Sequence, residues 1–163
     1  MKTFFIILTF LTLFTACSTK NAFSEFKMDK DQELSISSLK SSKIISKDGE
    51  VSGVFSAIYL NEIYPESFKG DEYFFVYLFT KDTKEMYDPQ RPTQTDLKLK
   101  LNSKLPIKLQ KLPQNNRFSH LVETKSSWNR YYLVSFEKVD EINLVLENGL
   151  SSSAVLKYQK DEQ

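Results

Sequence analysis

The chain carries one cysteine, Cys17, and one histidine, His120, and that scarcity limits its chemistry before any fold is considered. A zinc site built on two or three histidines is impossible with one. Ser119 sits beside His120, but neighbours on a strand project to opposite faces, so the pair does not make a nucleophile and its base. Four glycines leave no Gly-rich phosphate loop. Asp29, Asp31 and Glu33 alternate like the start of a calcium loop, without the glycine and distal glutamate that such a loop needs. Another serine could reach His120 only through the fold, with no local support, and paired carboxylates remain open. Glu62, Glu66, Asp71 and Glu72 cluster near expected turns and are the candidates for hydrolysis of the glycosidase kind. No metal and no cofactor is expected.

Cys17 closes a different pattern. Lys2 is followed by an apolar run over residues 4–14, broken only by Thr9 and Thr12, and then by the small residues Thr15 and Ala16. A positive start, an apolar stretch and a small-residue cleavage site are the parts of an export signal. The run is about half the ~20 residues that a membrane-spanning helix needs. Residues 1–16 are therefore expected to be a signal peptide.

Within it, Phe14-Thr15-Ala16-Cys17 resembles the lipobox of bacterial lipoproteins. In that family the cysteine thiol takes a diacylglycerol, the signal is cut before it, and the freed amine is acylated. The resemblance implies lipidation at Cys17 and a membrane partner through that anchor. Three acyl chains would make detachment negligible, since each buried methylene contributes about 0.8 kcal/mol. Ser18, where inner-membrane lipoproteins commonly carry aspartate, implies transport to the outer membrane in a diderm cell. With its thiol acylated the exported chain has neither cysteine–histidine catalysis nor a disulfide.

Removing residues 1–16 takes away Lys2 and no acid, leaving 21 basic and 21 acidic side chains. That balance argues against a nucleic-acid partner, which would call for a basic face. Stability must come from apolar packing, and thirteen Phe with eight Tyr are well suited to supply it. Residues 17–33 are polar with scattered apolar positions and read as a tether; residues 34–163 form one domain.

From Leu34 on, the pattern is that of strands, and no segment shows a helical period. Ile44-Ile45 and Val51-Ser52-Gly53-Val54-Phe55 flank Asp48-Gly49, a hairpin signal, and the second arm runs on toward Pro65. Residues 73–79 are apolar or aromatic throughout, as in a central strand covered on both faces. Residues 83–96 make a long loop with Pro89 and Pro92, in which Met86, Tyr87 and Arg91 are the candidate contacts. The bland alternative is a simple crossover between sheets. Leu97-Lys98-Leu99-Lys100-Leu101 alternates strictly, and residues 105–109 resume the pattern with Pro106 pushing them to an edge. Lys98, Lys100, Lys104, Lys108 and Lys111 then form a basic stripe for anionic headgroups or polysaccharide, or simply protect an edge from aggregation. Residues 118–122 read as a short strand containing His120. Residues 128–136 read as a strand with Trp128 as a candidate core residue, and residues 142–158 as a closing hairpin around Asn148-Gly149.

Seven or eight short strands with regular turns predict an all-β fold, an antiparallel two-sheet sandwich of the immunoglobulin-like class. The pattern resembles the small immunoglobulin-like domains on envelope lipoproteins of epsilonproteobacteria. That resemblance implies a non-catalytic protein, lipid-anchored at the cell envelope, that presents its sandwich to a protein partner. Two alternatives follow from the residues. One is a carbohydrate-binding module stacking sugars on Tyr87, Trp128 or Tyr131, which requires two of them exposed and coplanar. The other is the carboxylate hydrolase, which requires an acid pair in a cleft.

Overall fold

The computed structural model describes residues 30–82, 85–89, 97–122 and 126–160. The expected signal, Cys17 with the first part of the tether, and Arg91 lie outside the described residues. The chain runs α1 (Lys30–Ser38), β1 (Leu39–Ser46), β2 (Val51–Tyr59), α2 (Leu60–Ile63), β3 (Glu72–Thr80), β4 (Lys98–Leu101), β5 (Lys108–Leu112), a 3-10 turn (Ser119–Leu121), β6 (Arg130–Phe136), β7 (Ile142–Asn148), β8 (Ser151–Ser153) and β9 (Leu156–Tyr158).

The expectation of an antiparallel β fold holds. The strands lie in the order β4-β7-β8-β1-β2-β3-β6-β5, with β9 also paired to β7, and the sheet curls into a half-barrel. Among the described residues every pairing between the named strands is antiparallel, and Met86 makes an isolated parallel bridge to Leu97. The strands join in one path because β8, three residues long, pairs with β7 at Asn148↔Ser151 and with β1 at Ile44↔Ser153.

The curl follows from the residues of β3. Phe74, Val76 and Leu78 face inward and Phe75 faces outward, all fully buried. The inner set is covered when β4, β7 and β9 fold over it, bringing Leu99, Leu101, Leu144, Leu146 and Leu156 into one core with Phe55, Val134 and Phe136. Tyr158 crosses this core, donating its hydroxyl to the Ala57 carbonyl at 2.7 Å. The outer set is covered by α2, the 3-10 turn and α1, through Leu60, Ile63, Phe118 and Leu121 with Leu34 packed against them. There Phe75 and Tyr131 lie nearly parallel, with ring centroids 5.9 Å apart.

The Asp48-Gly49 hairpin forms as expected, with Gly49 at φ +85°, where glycine carries no penalty. Residues 73–79 do form the central strand, between β2 and β6, and β5 is the end of the sheet path, where Pro106 pointed. Four expectations are corrected. The second hairpin arm stops at Tyr59 and turns into α2 instead of running on toward Pro65. Residues 119–121 form a 3-10 turn, not a strand. Trp128 is 76% exposed, not a core residue.

The fourth correction is α1, a helix where none was expected, whose first turn occupies residues counted as tether. It has no apolar stripe because polar bonds hold it. Ser35 Oγ donates to the Leu121 carbonyl at 3.1 Å, Gln32 Nε2 to the His120 carbonyl at 3.3 Å, and the Tyr59 amide to Ser38 Oγ at 3.1 Å. Asp31 and Glu33 in its first turn suit the positive end of the helix dipole.

Gly53 is a tight spot in this arrangement. A side chain there would bring its Cβ to 2.4 Å from the Phe79 carbonyl oxygen on the facing strand. Gly53→Val is expected to destabilise the domain by about 1–3 kcal/mol through overpacking. Urea unfolding followed by tyrosine fluorescence checks it, and an unchanged midpoint would refute the close approach.

Candidate functional site

Two concave regions among the described residues bear on function. The first lies at the start of β3, where the 64–71 turn stands away from the sheet. Asn61 holds that turn: its Nδ2 donates to the carbonyls of Phe68 (3.1 Å) and Asp71 (2.7 Å), and its Oδ1 accepts from the Tyr73 amide at 2.8 Å. The cleft behind it measures about 530 Å³ and is lined by Tyr59, Glu62, Asp71, Glu72, Lys138 and Lys160, among others. Three of the four carboxylates singled out in the sequence therefore do meet in one place. Glu66 sits on the surface and pairs with Lys69 at 2.6 Å.

Glu72 is the centre of this region and is only 2% exposed. Its Oε2 accepts from the Tyr59 hydroxyl at 2.6 Å, and its Oε1 accepts from the Val139 amide at 3.0 Å and pairs with Lys160 Nζ. Lys160 Nζ also donates to the Val139 carbonyl. A buried charge is tolerable only when it is paired and hydrogen-bonded, and both conditions are met. These three bonds occupy three of the roughly four acceptor sites of the carboxylate. Burial pushes the Tyr59 hydroxyl far above the ordinary tyrosine range, and its bond to Glu72 adds to the shift. Burial does the same to Tyr158, with the charge of Glu62 contributing.

The second region is the seam where the half-barrel stays open, between its end strands β4 and β5. At one end the seam is bridged by residues 85–87: the Tyr87 amide donates to the Leu97 carbonyl at 2.7 Å, the Leu97 amide to the Glu85 carbonyl at 3.1 Å, and Lys111 Nζ pairs with Glu85. At the other end lies a notch of about 500 Å³ lined by Leu101, Lys104, Leu105, Pro106, Ile107, Phe136, Glu137 and Val139. Leu105 and Ile107 stand exposed on its rim, Ile107 by 53%.

The seam collects the expected lysine stripe on two separate lips. Lys98 and Lys100 come from β4, Lys108 and Lys111 from β5, and Lys104 from the turn between them. Lys100 pairs with Glu147 at 2.6 Å and Lys104 with Glu137 at 3.0 Å, while Lys98 lies 5.2 Å from the centre of the Tyr87 ring. The candidate contacts of the loop divide accordingly. Met86 is a core residue packed beside Leu97, Tyr87 is half-buried under Lys98, and Arg91 falls outside the described residues. Of the three aromatic platforms considered, Trp128 is exposed, Tyr131 is buried against Phe75, and Tyr87 is half-buried.

His120 makes no pair with Ser119, whose hydroxyl donates to the Gln114 carbonyl at 3.2 Å. Its Nε2 is 2.8 Å from the Tyr64 hydroxyl. Burial and the neighbouring Asp31 both push that hydroxyl up. Among the described residues no group of three or more His, Cys, Asp or Glu is placed to hold a metal ion, and no helix is long and apolar enough to cross a membrane. Also among them, the buried Arg130 Nε and Tyr132 Oη have no hydrogen-bond partner of good geometry.

Local sequence gave no warning of the Glu72 cluster, because Lys160 is 88 residues away along the chain. The alternation over residues 105–109 reads as apolar side chains turned inward, and the structure corrects it: Leu105 and Ile107 are exposed while Pro106 is buried between them. No protein-family model matches the chain, and neither does any curated protein or any solved structure.

Two outcomes test the Glu72 cluster. Glu72→Gln strands the part-buried Lys160 charge and is expected to cost about 3 kcal/mol of stability. Glu66→Gln, on the exposed pair, should stay within about 0.5 kcal/mol of wild type in the same urea titration. The tyrosine shifts set the alkaline limit. With folded-state values raised, the unfolded chain loses its phenolic protons first. Stability is then fully present below about pH 10 and falls as the pH rises beyond it. Urea midpoints measured from pH 8 to 11 should be level and then drop; a rise above pH 10 would contradict the assignment.

Proposed function

We propose that this protein is a non-catalytic lipoprotein of the bacterial cell envelope, anchored through lipidated Cys17, whose β domain binds a protein partner. The observation that carries the non-catalytic part is the state of Glu72. The one deeply buried carboxylate of the acidic cleft is engaged by Lys160, Tyr59 and Val139, which fits a structural role and not that of a general acid or base. The binding part is supported by the seam, where aliphatic side chains stand exposed beside a notch at the end of the sheet path. A sugar-stacking surface finds less support, since Trp128 alone among its three proposed platforms is exposed.

The immunoglobulin-like sandwich belongs to the same proposal. In its favour, β4, β7 and β9 pack as one layer across an apolar core from β2, β3 and β6. The continuity of the sheet through β8 is where the domain departs from two separate sheets.

Localisation rests on the resemblance of Phe14-Thr15-Ala16-Cys17 to the lipobox. In a diderm host the wild-type protein is expected in the outer-membrane fraction with a fatty-acid label on its N-terminus. Cys17→Ala should lose the label and leave that fraction. An unmodified thiol at residue 17 by mass spectrometry would refute the anchor. For binding, crosslinking in intact cells should join the domain to one defined protein, and a domain that crosslinks to none would refute the partner.

A further inference from the structure

We infer that the open seam is a docking groove for an extended, acidic segment of another protein, which lies beside β5 as an added strand and sinks an aliphatic side chain into the notch. This deepens the binding role proposed above and rests on it. Among the described residues β5 has no strand beyond β6, so it ends the sheet. The end strand of a sheet is a ready template for another extended chain. Proteins usually defend such an edge with charge or proline, and this edge has both in Lys108, Lys111 and Pro106. A purely defended edge has no use for exposed aliphatics. Here Leu105 and Ile107 stand on the rim of an open notch floored by Leu101, Phe136 and Val139.

Charge selects the occupant. The lips carry Lys98, Lys100, Lys104, Lys108 and Lys111, of which Lys104 pairs with Glu137, Lys111 with Glu85, and Lys100 with Glu147 of β7, on the side of β4 away from the seam. The pairs of Lys104 and Lys111 are more than half exposed. Such pairs hold weakly and exchange readily with an incoming carboxylate. Lys108 is exposed and has no acidic partner among the described residues. A second copy of this chain presenting the same edge would set lysine against lysine, which excludes it by repulsion. A neutral strand gains only the notch; a strand with acids flanking an aliphatic residue satisfies the notch and the lips together. A membrane surface matches the charge, but a flat array of headgroups does not fill a notch.

The test uses the full lipidated chain in detergent micelles and a capped synthetic peptide, Asp-Glu-Val-Ile-Val-Glu-Asp, with its charge-reversed twin Lys-Lys-Val-Ile-Val-Lys-Lys. Hydrogen exchange read by mass spectrometry should show the acidic peptide protecting residues 104–112 and the reversed peptide protecting nothing. Ile107→Asp and Lys108→Glu should each weaken binding at least tenfold with the urea midpoint unchanged, and Val155→Asp on another surface should leave binding alone. Protection confined to other residues would overturn the groove, as would equal binding of both peptides. Protection of residues 104–112 that appears in phosphatidylglycerol but not phosphatidylcholine nanodiscs and is lost on Lys108→Glu, with no response to the acidic peptide, would assign the stripe to lipid instead and overturn it too. The two proposals fail separately. A cellular crosslink that survives in Ile107→Asp removes the groove and keeps the binding role, whereas no crosslink in the wild type removes the binding role itself.

Discussion

The structure depends on hiding one strand from water on both sides. β3 buries Phe74, Val76 and Leu78 on one face and Phe75 on the other, and fully burying each such side chain is worth about 1.5–3 kcal/mol. A flat sheet could cover only one of those faces with its own strands. The chain meets the requirement with two kinds of cover. Its later strands curl over the inner face, and its short helical pieces lie against the outer one.

Each solution leaves a mark elsewhere. Curling brings the two ends of the sheet near each other without closing them, and the seam they leave holds both the lysines and the notch. Covering the outer face with a helix of low apolar content makes its attachment depend on hydroxyls and amides. The acidic cleft is a third mark. Where β3 begins, Lys160, two residues past the end of β9, returns to neutralise Glu72, so the start of β3 and the segment after β9 are fastened within one polar cluster.

What could be read in the residues was what local pattern encodes. Period-two alternation marked β4, the aromatic run marked β3, and Asp48-Gly49 and Asn148-Gly149 marked turns, because backbone geometry at those points is decided within a few residues. α1 escaped because Lys-Asp-Gln-Glu-Leu-Ser-Ile-Ser-Ser has no apolar face, and its partners Leu121 and His120 lie 86 and 88 residues on. Trp128 misled because its aromatic ring is as compatible with a core as with solvent, and only the turn before β6 decides between them. Of the seam, the lysines were visible as a stripe. Their division between opposite ends of one sheet was not, since that depends on pairings between strands far apart in the chain.

The order in which the strands occur has its own consequence. β3 ends at Thr80, but β6, its partner on one side, does not begin until Arg130. A chain emerging from its amino end during synthesis delivers its stickiest segment well before the strand that completes the pairing. Long-range pairing of this sort is slow and leaves apolar strand edges bare in the meantime. The β1–β2 hairpin, already formed upstream, can shield one flank of β3 during that wait. The other flank stays open until β6 arrives, fifty residues after the end of β3, which makes the interval of synthesis, more than the finished fold, the stage at which this molecule is vulnerable to clumping.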